Sequence, residues 1–179
     1  MKTYNRRKFI QASATTGLGL GLVQASSFNI LKRYPAKDKY KVAIIGVNSR
    51  GTQHVQGFAS LPNVDVAYIC DVDSRAIEKA KGLLSKEQQG KVKGLGDFRN
   101  ALDDKTVDAI TIAMPDHWHT PAALLGLSAG KNVYVEKPGS HNPAEAELLV
   151  KTALSSGKVV QMGNQRRSWP RVQEAMMCN

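Results

Sequence analysis

Hydrophobic positions between residues 40 and 163 follow two periods in turn, and the alternation predicts the elements. Runs that are apolar with few breaks read as strands over residues 42–45 (Lys41 leading in), 64–70, 91–95, 107–113, 132–135 and 158–162. The fourth run, VDAITIA, is nearly continuous, as expected of a strand covered on both faces. Between the runs, apolar residues recur at helical spacing. Val55, Phe58, Ala59 and Leu61 make one such face, and Ala76, Ile77, Ala80, Leu83 and Leu84, capped by Ser74, make a second. Asp97 opens a brief helix to Leu102, and a longer helix is expected over about 120–129, ending near Gly130. Asn142 is expected to cap a helix with Ala146, Leu149, Val150 and Ala153 on one side and Gly157 as its stop. Six strands separated by helical stretches predict an α/β fold, a doubly wound parallel sheet.

The first strand runs straight into Gly46-Val47-Asn48-Ser49-Arg50-Gly51 and then a helix. Strand, tight glycine turn and helix is the order that lays a dinucleotide pyrophosphate on a helix N-terminus. Glycine allows a backbone path and a phosphate approach that a Cβ obstructs. Asn48 stands where the usual G-x-G-x-x-G spacing has its second glycine; Asn tolerates left-handed backbone, but its side chain must fit beside the phosphates. Gly46, Asn48, Ser49, Arg50 and Gly51 are therefore candidate cofactor-binding residues. An ordinary strand–helix turn uses glycine in the same way, so the motif gains its weight from the strand order around it.

Length and composition bound the rest. The chain has 179 residues and is 42% hydrophobic, enough for one domain with a real core. Its net charge of +10 is interleaved with acids outside two basic clusters, one at residues 2–8 and one at Arg166, Arg167 and Arg171. No basic stripe with interleaved aromatics occurs, which argues against a nucleic-acid partner. Two cysteines, Cys70 and Cys178, make no metal framework. Residues 1–25 have the form of an export signal: a basic start, a short Gly-rich apolar stretch and a Val23-Gln24-Ala25 cleavage pattern. Arg6-Arg7 followed by Lys8-Phe9-Ile10 resembles a twin-arginine signal, which implies the twin-arginine export machinery as a partner and a periplasmic location. An ordinary secretory signal with adjacent arginines has the same form. Residues 26–39 read as a linker, 40–163 as the dinucleotide-binding domain.

In such a sheet ligands gather at the carboxyl ends of the strands, so the residues following each strand carry the candidate chemistry. Asp71 ends the second strand, 20 residues after Gly51, where a carboxylate accepts ribose hydroxyls and repels a 2′-phosphate. That favours NAD over NADP, while Arg75 would serve a phosphate if Asp71 pointed away. Pro115-Asp116-His117-Trp118-His119 ends the fourth strand; its two histidines diverge in a helix-opening turn, so no metal site is expected. Pro115 and His119 are read instead as walls of a nicotinamide pocket, with a plain surface turn as the alternative. Glu136-Lys137-Pro138 ends the fifth strand. Lys137 is either a solvated strand-end lysine or a cation that holds a substrate hydroxyl and shuttles its proton.

Taken together, GVNSRG, DVD, PDHWH and EKP after the first, second, fourth and fifth strands resemble the Gfo/Idh/MocA oxidoreductases, the relatives of glucose–fructose oxidoreductase and inositol dehydrogenase. GNQRRSWP after the sixth strand resembles that family's crossing into its second domain. The likeness covers residues 40 to about 175. It implies a Rossmann-type NAD(P) domain, a larger α/β substrate domain, and oxidation of a sugar or polyol hydroxyl, with homo-oligomers possible. It further implies that Lys137 is the catalytic pocket lysine, that His119 and Glu136 border the cofactor, and that Gln165 and Arg167 lie near cofactor or substrate. Residues 164–179 are then expected to be the start of a second domain that this chain lacks. The chain alone is expected to bind cofactor and turn over poorly or not at all. An NAD-dependent glycosidase of the same family and a non-catalytic dinucleotide-binding module are the alternatives.

Overall fold

A computed structural model describes residues 37–177. The export-signal reading and Cys178 lie outside them, as does most of the expected linker. The elements run β1 Tyr40–Ile45, α1 Arg50–Ala59, β2 Val64–Cys70, α2 Ser74–Lys81, α3 Lys86–Gln89, β3 Lys93–Leu95, α4 Arg99–Leu102, β4 Ala109–Ile112, α5 Asp116–Ser128, β5 Asn132–Glu136, α6 Pro143–Ser156 and β6 Val160–Gly163. A 3-10 turn, Gln165–Ser168, and α7, Pro170–Met177, follow. The six strands form one sheet in the order β3-β2-β1-β4-β5-β6, parallel at every pairing. That order is doubly wound, and the direction of winding reverses between β1 and β4.

The continuous apolar runs arise because the sheet is covered twice. Alternate residues of β1 feed different cores: Ala43 and Ile45 join Ile110, Ile112, Val133 and Val135 under α5, whereas Val42 and Ile44 join Val55, Val66, Ile69 and Ile77 under α1 and α2. Where β4 and β5 turn their other face toward α1, the packing becomes polar. Thr111 and the edge of Tyr134 meet the buried ring of His54, whose centroid lies 5.4 Å from that of Tyr134.

Several boundaries differ from the sequence reading. The long helix α5 begins at Asp116 rather than near residue 120, so the PDHWH stretch is helical from its Asp onward. Pro121 inside it forfeits only the bond to the carbonyl of His117, an exposed residue whose carbonyl water can serve. Asp73, not Ser74, caps α2, its carboxylate accepting from Arg75 N at 2.9 Å. Helix α3, which the apolar pattern does not mark, is closed by a Ser85/Gln88 capping box. Leu61 and Leu83 fall beyond the ends of α1 and α2 and are exposed. Val150 is 61% exposed, since α6 buries only Leu149 fully. Asn142 does cap α6, accepting from Glu145 N at 3.0 Å, and Gly157 at φ +64° ends it.

Candidate cofactor-binding site

One cavity of about 670 Å³ lies outside the carboxyl ends of β1 and β4, at the reversal of the winding. The glycine turn forms its floor. Gly46 has φ +80°, and a Cβ built on it would lie 2.7 Å from Ala113 O. A Cβ on Gly51 would lie 1.8 Å from Gly46 O. The two glycines thus serve the fold of the turn itself: one crosses β4 closely, the other lets α1 start against β1. Ser49 is the N-cap of α1 and its side chain makes no cap bond; its carbonyl accepts from Thr52 N at 3.1 Å, which leaves the N–H groups of Arg50 and Gly51 unused by the cap. Asn48, Ser49 and Arg50 line the cavity, and Gly51 supports it from behind.

Asp71 closes one side. Its Oδ2 accepts from Val47 N at 2.8 Å and its Oδ1 from Asp73 N at 3.0 Å. The carboxylate therefore faces the glycine turn. Each oxygen keeps a lone pair for a ribose hydroxyl, because an ionised carboxylate offers about four acceptor sites. Val72, from the DVD stretch, and Gly96 and Phe98, which did not stand out in the sequence, complete that end of the cavity.

Pro115, His119, Glu136, Lys137 and Gln165 line the other end. His119 is buried, with its ring nitrogens against the carbonyls of Met114 and Pro138, so it ties the end of β4 to the turn after β5. His117 is exposed and takes no part. Lys137 is exposed and opens onto the cavity. Arg167 is also exposed, in the 3-10 turn, and does not line the cavity.

Glu136 is the hub of this end. Its side chain is 5% exposed and accepts from Arg50 Nε at 2.9 Å, His54 Nε2 at 2.8 Å and Gln165 Nε2 at 2.7 and 2.8 Å. Burial pushes its carboxyl up, but the three side-chain donors and the Arg50 charge outweigh burial and hold it down at about 2. His54 is shifted below its ordinary 6.5, by burial first, with Glu136 pulling the other way. A neutral ring protonated at Nε2 satisfies both neighbours: it donates to Glu136 and its Nδ1 accepts from Thr111 Oγ1. His54 and Thr111 were missed by sequence reasoning. The available signal was His54 four residues after Arg50, on the same face of α1.

A parallel doubly wound sheet, a glycine turn opening a helix at the winding reversal, and a carboxylate at the end of β2 define a dinucleotide-binding domain. Nothing in the cavity conflicts with that cofactor: its volume, the close turn and the uncommitted lone pairs of Asp71 all suit an adenosine ribose and pyrophosphate. Residues 40–164 match the family model described as an oxidoreductase family with an NAD-binding Rossmann fold. The chain belongs to this Gfo/Idh/MocA family.

A glycosyl hydrolase family 109 protein of Saccharopolyspora erythraea is 30% identical, over 84% of this chain and 37% of that protein. GenD2 from gentamicin A biosynthesis, solved in complex with NAD, is 26% identical with a TM-score of 0.71, covering 79% of this chain and 39% of that one. Myo-inositol 2-dehydrogenase from Lactobacillus plantarum is 26% identical with a TM-score of 0.68, covering 79% of this chain and 41% of that one. The chain thus spans under half the length of the relatives it matches.

Proposed function

We propose that the chain is the cofactor half of an enzyme that transfers hydride between NAD and a hydroxyl-bearing carbon of a sugar or polyol. The observation that carries this reading is the position of Lys137, which follows the anchored Glu136 and opens onto the cavity shared by the glycine turn and Asp71. When bound, NAD supplies a hydride acceptor. Asp71 receives the ribose hydroxyls, and the α1 N-terminus receives the pyrophosphate. Lys137 Nζ holds the substrate hydroxyl and moves its proton. Glu136 fixes the end of β5 from which Lys137 projects.

In a form of the protein that carries a substrate domain, Lys137→Ala is expected to lower sugar-dependent NAD reduction about 10²- to 10⁴-fold. Its NAD affinity should stay within about threefold of the parent, because the lysine acts on substrate. Unchanged turnover would remove Lys137 from the chemistry, whereas NAD binding with no turnover in the parent form would favour a binding module.

The relative named as a family 109 glycosyl hydrolase supports a second reading, an NAD-dependent glycosidase built on the same cofactor half. Incubation with an aryl glycoside and no added NAD separates the two: released aglycone supports the glycosidase, reduction of added NAD the dehydrogenase. Export by the twin-arginine route belongs to the same proposal and rests on Arg6-Arg7 with the Lys8-Phe9-Ile10 that follows. Replacing both with lysine should retain the protein in the cytoplasm on cell fractionation; continued export would point to the ordinary secretory route.

A further inference from the structure

The adenosine end of the cavity is bounded by two loops, residues 71–73 after β2 and 96–98 after β3. Asp71, Val72 and Gly96 also belong to an adjoining cleft of about 270 Å³, whose further wall includes Ser74, Glu78 and Lys81. This cleft lies just past the carboxylate that faces the ribose, where a 2′-phosphate would be accommodated. Cations are not scarce there. Lys81 sits on the cleft wall, while Arg75 and Arg99 lie outside both linings, each next in the chain to a lining residue, Ser74 and Phe98.

Each of these cations is held by a carboxylate two or three residues away in the chain. Arg75 Nε and Nη2 donate to Asp73 Oδ1 and Oδ2 at 3.0 and 2.9 Å. Arg99 Nε donates to Asp97 Oδ1 and Oδ2 at 2.9 and 3.0 Å, and its Nη2 to Oδ2 at 2.6 Å. Lys81 Nζ donates to Glu78 Oε1 at 3.0 Å. Bidentate pairing uses the fork with which a guanidinium would grip a phosphate. The loop geometry reinforces it, since Arg75 N and Arg99 N also donate to the same two aspartates at 2.9 Å. With Asp71 added to Asp73, Glu78 and Asp97, carboxylates outnumber the cations at this end.

We propose that Asp73 and Asp97 set the preference for NAD over NADP by holding Arg75 and Arg99, the two guanidiniums that would otherwise pair with a 2′-phosphate. The inference rests on the cofactor reading above and goes beyond it. Selectivity is carried by engagement of the cations as well as by the ribose carboxylate Asp71. Arg75, 90% exposed, is free to swing once its partner is neutral.

The test is calorimetric titration of the 179-residue chain with NAD and with NADP, for the parent, Asp73→Asn, Asp97→Asn and the pair. Asparagine keeps the oxygen that caps α2 while removing the charge, so melting temperature should hardly move. Asp73→Asn should bind NADP about tenfold more tightly, with NAD affinity within about twofold, and Asp97→Asn should add a smaller gain. Adding Arg75→Gln to Asp73→Asn should abolish the gain. Glu87→Gln on α3, which frees Lys91 just beyond that helix, is the control for net charge and should leave the NADP to NAD ratio unchanged. An unchanged ratio with intact NAD binding overturns this proposal alone. A gain that survives Arg75→Gln, or that Glu87→Gln reproduces, also overturns it. Failure of the parent to bind NAD overturns the cofactor reading itself.

Discussion

Gly51→Ala is expected to destabilise the domain by about 3 kcal/mol or more and to weaken NAD binding at least tenfold. The added Cβ would meet Gly46 O at 1.8 Å and Gly46 C at 2.8 Å, both backbone atoms in a turn that has nowhere to retreat. Gly46 is itself pinned, at φ +80° and close against Ala113 O, so the strain passes into the β1–β4 contact. Relief requires the start of α1 to move outward, which displaces the first-turn N–H groups from the pyrophosphate position. Urea unfolding measures the first effect and calorimetry with NAD the second. A variant with parental midpoint and affinity would show that the turn is softer than its geometry implies. Ala at Gly57, where an added Cβ would find nothing within 4 Å, is the matched control in the same helix and should be neutral or slightly stabilising.

Glu136→Gln should cost about 3 kcal/mol, because three donors, Arg50 and His54 from α1 and Gln165 from the 3-10 turn, lose one buried anion. The amide keeps the shape, but its NH₂ opposes either the His54 N–H or the Gln165 NH₂. The pH dependence identifies the cause. The folded carboxyl sits at about 2 against an ordinary 4.5, so its contribution is complete above about pH 4.5 and is lost as pH falls through 2. His54 acts in the same direction. Held below 6.5 in the folded state, it takes up a proton more readily when unfolded, so stability begins to erode as pH falls below about 6.5. The parent should therefore lose stability in two stages on acidification, and the lower one should be shallower in Glu136→Gln, where Asp104, held down at about 2 by Thr106 and Tyr68, keeps its share. Parallel acid limbs in the two proteins would show that Glu136 is not the group responsible.

Lys137 and Glu136 are neighbours in sequence with opposite fates. Lys137 opens onto the cavity and is exposed, whereas Glu136 turns inward and spends its oxygens on Arg50, His54 and Gln165. Arg50, in the glycine turn, accordingly reaches Glu136 across the sheet ends. The aspartates ahead of α2 and α4 likewise decide what the nearby arginines do, a matter of rotamer and distance that residue types do not express.

The fold and the position of the site were determined by local features that the chain carries in order. Apolar runs without alternation demanded a sheet covered on both faces, and Gly46 and Gly51 demanded a tight turn after the first strand. Asp71 stood at the one strand end where ribose recognition needs an acid. These are short-range properties, set by periodicity and by the absence of a Cβ. Tertiary structure alone decided the start of α5, the exposure of Val150 and the partnership of His54, Thr111, Glu136 and Gln165. Those outcomes depend on which segments, as many as 82 residues apart for His54 and Glu136, the sheet order brings to one end. A buried carboxylate must take whichever donors converge on it, and convergence is a property of the assembled sheet.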